Sequence, residues 1–336
     1  MSVSPTPVPA ACVDPDGKRA GHRIVAVGEL LWDLLPAGAV LGGAPFNFAF
    51  RMAGLGDDVA FVSRVGRDAL GDRARGQVAA CGLATKFLQA DDTRPTGTVP
   101  VVLDAQGTPH FTIVPGVAYD AIEVTPENVE AAREADCVYY GTLVQREAGS
   151  REALAVILGS ASFAVKVLDV NLRAGCYSAE TVGWSLERAD ILKINESEVG
   201  ELGRLLGWGT LPVTGFVARC FRTWRLGYMA VTLGAQGAYA ASSSGEKVYV
   251  PGRVVEVRDT CGCGDAFTAG FVHALLGQLP LAECCRLGNA MGALVATQSG
   301  GTAPLSKAEI MAFMRTEGPV IRAAEFAPFE VPTGPA

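Results

Sequence analysis

Long apolar runs are missing from this sequence: no window approaches 18 uninterrupted apolar residues, so it carries no helix built to span a bilayer. An excess of positive charge is missing too. The 28 Lys and Arg stand against 35 Asp and Glu, and a net charge of −7 gives no phosphate-matching surface for nucleic acid or an anionic membrane. Histidine is scarce, with three in 336 residues (His22, His110 and His273). The nine cysteines lack metal-site spacing: Cys261-x-Cys263 and Cys284-Cys285 are not C-x-x-C pairs, and too few histidines exist to complete a zinc set. Their odd count, together with a Pro-rich and charged first 22 residues that lack the apolar stretch of a signal peptide, points to reduced thiols and a cytoplasmic protein.

What the sequence does have is core material. Hydrophobic residues make up 49% and charged residues 19%, with 40 glycines, far from the composition of a disordered chain. At about 150 residues per domain the length fits two domains or one large α/β domain. Short runs rich in β-branched residues recur at Ile24–Val27, Val138–Tyr140, Val165–Leu168, Ile191–Ile194 and Met229–Leu233. Each is followed by Gly, Asp or Asn, and stretches such as Glu180–Ala189 and Glu196–Leu206 then read as helices. Strand alternating with helix predicts a mostly parallel sheet covered on both faces, with ligands at the carboxyl ends of its strands. Thr98–Leu103 and His110–Val114 flank a short turn at Asp104–Gly107, and Leu30–Leu41 lacks helical period. These segments predict a small antiparallel flap that can cover a site. Residues 1–22 and 317–336 are aperiodic and read as loose tails, and 207–228 as irregular.

The most informative segment is Asp259-Thr-Cys-Gly-Cys-Gly-Asp265-Ala-Phe267. Phe267, Phe271, Ala274 and Leu275 after it form a helical stripe that Gly277 ends. Gly262 and Gly264 therefore sit in a turn into a helix N-terminus, where bare N–H groups and the helix dipole hold an anion such as a phosphate. Asp265 places a carboxylate in the first turn; the plainer alternative is an ordinary helix-terminal acid. No Lys-Ser/Thr follows, so this is not a Walker A loop.

Two further clusters follow strand-like runs. Gly28–Asp33 leads to Gly42-Gly43-Ala44-Pro45-Phe46-Asn47, where Pro45 suits a first helical position. Asp33 and Asn47 there can hydrogen-bond sugar hydroxyls, or serve as a turn and a cap. Asp169-Val-Asn-Leu-Arg173 and Lys193-Ile-Asn195-Glu196-Ser-Glu198 make the other. A carboxylate and an amide at Glu198 and Asn195 suit an octahedral Mg²⁺ that keeps its waters, and equally suit a capping box. Thr232-Leu-Gly234-Ala-Gln-Gly237 follows a strand and fits a nucleotide only weakly.

Taken in order, these segments resemble the ribokinase-like (PfkB) carbohydrate kinases, and within them the fructokinases. Asp259–Phe267 matches the signature D-T-x-G-x-G-D-A-F, and Gly42–Asn47 matches G-G-A-P-x-N. Gly28–Pro36, Tyr140–Arg146, Asp169–Arg173, Leu192–Glu198 and Thr232–Gly237 follow in the right order, so the likeness runs from about residue 23 to 316. It implies a three-layer α/β/α ribokinase-like fold, with a mostly parallel central sheet and a small β-sheet lid from about 30–42 and 96–118. It implies ATP-dependent phosphorylation of a sugar hydroxyl, with fructose to fructose 6-phosphate as the first expectation. Another sugar, 2-keto-3-deoxygluconate, a nucleoside, or a silent binding protein are the alternatives. Carried onto this chain, Asp265 is the catalytic base, and the amides of Cys261, Gly262, Cys263 and Gly264 form the anion hole. Asp33, Gly43, Asn47 and Arg173 bind the sugar, while Thr232, Gly234, Gly237 and Asn289 line the nucleotide site. Asn195 and Glu198 order Mg²⁺ through water, and Asp259 with the Cys261 carbonyl holds a monovalent cation such as K⁺. The resemblance also implies a homodimer through the lid, and no nucleic-acid or membrane partner. Cys261 and Cys263 depart from the usual Thr or Val and Ala, which sets two thiols beside the expected centre.

Overall fold

The computed structural model describes residues 21–35, 38–103 and 109–331. In chain order, β1 (Arg23–Val27), β2 (Leu31–Leu35) and β3 (Gly38–Gly42) precede α1 (Ala44–Gly54), β4 (Asp58–Gly66) and α2 (Ala69–Ala80). Next come β5 (Leu88–Asp91), β6 (Gly97–Leu103), β7 (Pro109–Phe111), α3 (Pro126–Glu134), β8 (Cys137–Tyr140), α4 (Ala148–Ser160) and β9 (Val165–Asp169). Then follow α5 (Ala179–Leu186), β10 (Ile191–Asn195), α6 (Glu196–Leu205), α7 (Val213–Thr223), β11 (Tyr228–Thr232), β12 (Ala238–Ser242), β13 (Lys247–Val250) and β14 (Gly252–Arg253). The chain closes with α8 (Cys263–Leu276), α9 (Leu281–Ala296), α10 (Lys307–Arg315) and β15 (Val320–Ile321).

Nine strands form one sheet in the order β13-β12-β11-β10-β9-β8-β1-β4-β5. All pairings from β11 through β5 are parallel, and β12 and β13 add an antiparallel edge. Each apolar run foreseen in the sequence lies inside one of these strands, except that Leu233 falls one residue beyond β11. Their continuous apolar character follows from double-sided burial: Ile24 and Ala26 of β1 point into one core, Val25 and Val27 into another. The first core packs α1, α2, α8 and α9 against the sheet, and the second packs α4, α5, α6 and α7. Three layers result, as expected.

The four-stranded second sheet runs β3-β2-β6-β7. It is antiparallel within the hairpins β2–β3 and β6–β7, and β2 joins β6 in parallel. The turn expected at Asp104–Gly107 lies outside the described residues, apart from the strand ends that flank it. Trp32 anchors this sheet to the main body: it is fully buried, its indole N–H donates to the Leu70 carbonyl at 3.0 Å, and the Arg73 guanidinium covers its ring.

Three expectations need correction. Residues 207–228 are not irregular, because α7 buries Val213, Phe216, Val217 and Cys220 at i, i+3, i+4 and i+7, with Trp208 packed at tilted angles against Phe216 and Trp224. The stretch from 317 is not a loose tail as far as residue 331. β15 pairs with β14, and Phe326, 1% exposed, packs on Tyr239 and Tyr249 of the sheet edge. Burial of a full aromatic ring there is worth about 2–3 kcal/mol, enough to fix the segment. Residue 22 is not part of a loose segment either, since His22 is buried against Asp57; residues 1–20 lie outside the described chain.

Candidate active site

The start of α8 sets the geometry. Gly262 is its cap residue with φ of +76°, and a Cβ there would stand 2.6 Å from the Cα of Gly301, so only glycine fits. Within the loop the N–H of Cys261 donates to Asp259 Oδ1 at 2.9 Å, and that of Cys263 to the Thr260 carbonyl at 3.3 Å. The expected four-amide anion hole is therefore narrower. The N–H groups of Gly262 and Gly264 have no acceptor among the described residues, and they sit at the positive end of the helix.

Asp265 occupies the first turn of α8, half-buried. Asn47, in the first turn of α1 and 4% exposed, donates its Nδ2–H to Asp265 Oδ2 at 2.7 Å. Burial pushes the Asp265 carboxyl up to about 6; the Asp169 charge adds to that rise, against the Asn47 bond and the positive charges of Lys193 and Arg173. A carboxyl in that range is poised to take a proton near neutral pH.

Beneath it lies a network that sequence reading did not assign. Lys193 of β10 is buried, and its ammonium donates to Asp169 Oδ1 at 3.1 Å while lying 3.2 Å from where a Gly264 Cβ would be. The Thr268 hydroxyl, one turn into α8, donates to Asp169 Oδ2 at 3.0 Å. Burial disfavours the Lys193 ammonium, but the carboxylates of Asp169, Glu198 and Asp265 outweigh it and raise its pKa. A fixed cation thus stands behind the open N–H groups. The signal was present: a lone Lys inside the apolar run Ile191–Ile194. Glu29, two residues beyond β1, was likewise unassigned. It is 5% exposed and pushed up to about 7 by burial, opposed by N–H bonds from its own backbone and Ala44 and by the Arg173 charge.

The remaining expected residues divide into two groups. Gly43, with φ of +116°, brings α1 so close that a Cβ would meet the Glu29 carbonyl oxygen at 2.5 Å. Asp33 on β2 is half-buried, and burial raises its pKa against the Arg173 charge. Arg173 is exposed, and its charge acts on Glu29, Asp33 and Asp265, which places it at the mouth of this cluster. Asp33, Gly43, Asn47, Arg173 and Asp265 thus converge.

Asn195 and Glu198 form a complete capping box on α6. Glu198 N–H donates to Asn195 Oδ1 at 3.0 Å, and Asn195 N–H to Glu198 Oε2 at 2.8 Å. Glu198 Oε1 accepts from the Leu172 N–H at 2.8 Å, and the Ser197 hydroxyl takes the second lone pair of Asn195 Oδ1. The capping alternative is therefore present in the fold. Asn195 has no acceptor capacity left for a hydrated cation, whereas each Glu198 oxygen keeps one lone pair.

Thr232, paired in register with Asn195, and Gly234, with φ of +57°, lie at the carboxyl edge of the sheet. Gly237 and Asn289 instead clasp the β13–β14 corner. A Cβ at Gly237 would stand 2.1 Å from the Val250 carbonyl oxygen, and Asn289 Nδ2 donates to that same oxygen at 2.9 Å. Asp259 staples the neighbouring loop by accepting from Cys261 and Gly300 N–H, both at 2.9 Å. Arg51 holds the same loop from α1, donating to the carbonyls of Gly301 and Ala303 at 2.6 Å.

The chain as a whole is similar to known proteins of one family. The model of the pfkB family carbohydrate kinase matches residues 37–308. The chain is 28% identical to a fructokinase of Klebsiella pneumoniae, with 84% of this chain and 96% of that protein aligned. It is 30% identical to fructokinase-1 of Oryza sativa subsp. japonica (87% and 98%) and 28% identical to aminoimidazole riboside kinase of Salmonella typhimurium (85% and 93%). Among solved structures, fructokinase of Xylella fastidiosa with bound ATP superposes with a TM-score of 0.75 at 24% identity, over 87% of this chain and 97% of that one. A sugar kinase of Pyrococcus horikoshii in complex with ATP superposes with a TM-score of 0.73 at 27% identity (86% and 97%).

Proposed function

As the chain belongs to the pfkB family of carbohydrate kinases, we propose that it phosphorylates a hydroxyl of a small sugar, with fructose to fructose 6-phosphate as the leading substrate and product. The observation that carries this reading is Asp265, raised to about 6 and hydrogen-bonded by Asn47, at the N-terminus of α8 beside the buried Lys193–Asp169 pair.

Phosphoryl transfer requires positioning and charge neutralisation more than covalent help. Asp265 accepts the hydroxyl proton as the oxygen attacks. The Gly262 and Gly264 N–H groups and the α8 dipole receive the charge of the transferred group. Asn47 fixes the rotamer of Asp265, while Asp33 and the backbone at Gly43 offer partners to the sugar hydroxyls. Arg173 supplies positive charge at the mouth.

ATP is the expected donor, and the Pyrococcus horikoshii sugar kinase binds it. The edge at Thr232 and Gly234 suits its binding, while Gly237 and Asn289 shape the edge's outer corner. Mg²⁺ fits at the remaining lone pairs of Glu198, through water, and would neutralise phosphate charge; Asn195 then contributes by holding Glu198 in place. A K⁺ ion at Asp259 and the Cys261 carbonyl would add to the Asp259 staple rather than replace it. Leu35 and Val40 leave apolar surface on the second sheet, 38% and 37% exposed, which supports a homodimer formed through the lid.

Fructose rests on relatives named fructokinases at 28% and 30% identity. A nucleoside is the second reading, favoured by the 28% identity to aminoimidazole riboside kinase. A coupled assay of ADP release over fructose, other ketoses, 2-keto-3-deoxygluconate and nucleosides decides between them. Turnover with none of these would overturn the kinase reading.

A further inference from the structure

On the far side of α8 from the candidate site, two of the three histidines of the chain converge on one carboxylate. Asp57 precedes β4, His22 precedes β1, and His273 lies in the last turn of α8. The Asp57 side chain is wholly buried, while those of His22 and His273 are 8% and 29% exposed. His22 Nδ1 lies 3.3 Å from Asp57 Oδ1, and His273 Nδ1 lies 2.7 Å from Asp57 Oδ2. The His22 backbone N–H donates to Oδ1 at 3.0 Å and fixes the carboxylate. The two rings meet edge to face, 86° apart with centroids 6.2 Å apart, so that one donor atom from each residue falls within 4.8 Å of the others.

We propose that His22, Asp57 and His273 bind a transition-metal dication of the Zn²⁺ type, with a fourth position open to solvent beside His273. Two imidazole nitrogens and a carboxylate oxygen suit such an ion, whereas Mg²⁺ and Ca²⁺ favour oxygen donors alone. With bonds of about 2.0 Å in a tetrahedral site, neighbouring donors stand about 3.3 Å apart. The His22–Asp57 spacing already has that value. His273 Nδ1 instead lies 2.7 Å from the other carboxylate oxygen, Oδ2, and a small swing of His273, the least buried of the three, would bring it to the same ion. Ligation through Nδ1 leaves the ring proton on Nε2, which in His22 is buried without an acceptor among the described residues. The expected affinity is therefore below that of a structural zinc finger. His273 lies eight residues beyond Asp265, about 12 Å along the helix. The ion would tie the segment before β1 to the end of α8, and it would take no part in phosphoryl transfer.

Co²⁺ is the probe, titrated into the full-length, nucleotide-free chain after chelator treatment. The proposal predicts one equivalent retained per chain, a weak absorption spectrum of nitrogen and oxygen ligation, and no sulfur charge-transfer band. His273→Ala, at the partly exposed ligand, should lose that equivalent while keeping kcat on the accepted sugar, and His22→Ala should lose it too. Zn²⁺ should displace Co²⁺ and raise Tm in the parent and not in His273→Ala. No retained equivalent, or an equivalent that survives in both variants or shows a sulfur band, would overturn the proposal. Because kinase turnover is measured on the same samples, failure of this site and failure of the kinase reading are separable.

Discussion

Asp265 is where a catalytic and a merely structural carboxylate differ most. Asp265→Asn keeps the size and the first-turn position, so the fold and ligand binding should persist while kcat falls by about 10²-fold or more. Retained kcat at saturating substrates would return Asp265 to the role of a helix-terminal acid. Since the carboxyl is raised to about 6 and must be ionised to accept a proton, kcat/KM should fall as pH drops through about 6. Glu29 tests the same electrostatics through stability. Its folded pKa of about 7 exceeds the ordinary 4.5, so the fold penalises its charged form. The cost is absent below about pH 4.5 and grows as pH rises to about 7. Glu29→Gln should therefore gain on the order of a few kcal/mol over the parent above pH 7, and nothing near pH 4; a pH-independent difference in urea midpoints would contradict this. Glu198→Gln loses one of two accepted N–H bonds, at about 1–2 kcal/mol, and under the water-mediated reading also raises the Mg²⁺ needed for half-maximal rate. A stability loss with unchanged Mg²⁺ dependence would leave Glu198 as a cap alone. Asp265, Gly262 and Gly264 were legible because they sit together in one segment. The Lys193–Asp169–Thr268 network was not, because tertiary contact brings together residues up to 99 positions apart.

At the scale of elements, strands were easier to read than the amphipathic helix α7, whose start is obscured by glycine and proline around Gly209–Pro212. Its buried face makes it structural: Phe216→Ala should cost about 3–5 kcal/mol and leave KM for the sugar unchanged. The second sheet makes a kinetic prediction. Val40 of β3 faces Asp33 of β2 in register, and its side chain stands 3.7 Å from where a Gly300 Cβ would be, so this sheet borders the candidate site. Sugar binding should slow amide exchange in β2 and β6. Equal exchange with and without sugar would make the sheet a fixed border rather than a lid. The closing segment through Phe326 escaped the sequence reading because its two rings, Phe326 and Phe329, make no periodic stripe to reveal it.

Over the whole molecule, the alternation of strand and helix was enough to place two helical layers on a parallel sheet. Strand order was not legible, because β1 sits between β4 and β8 through pairings that no local pattern encodes. The sheet edge near Thr232 and Gly234 shows the same limit. Gly237 and Asn289 take part in holding the β13–β14 corner, and Asn289 reaches it from 39 positions further along the chain, a purpose visible only after folding.

The bond between Asn47 and Asp265 joins positions separated by 218 residues, and the loop that backs it, at 300–303, comes later still. Time therefore enters the architecture. A chain emerging from the ribosome completes Asp33, Gly43 and Asn47 early and then waits through most of its synthesis for Asp265 and the loop behind it. No half-made chain holds the two together, so under the proposed function the capacity to transfer a phosphoryl group arrives with about the last fifth of the polypeptide. Nascent fragments carry none of it.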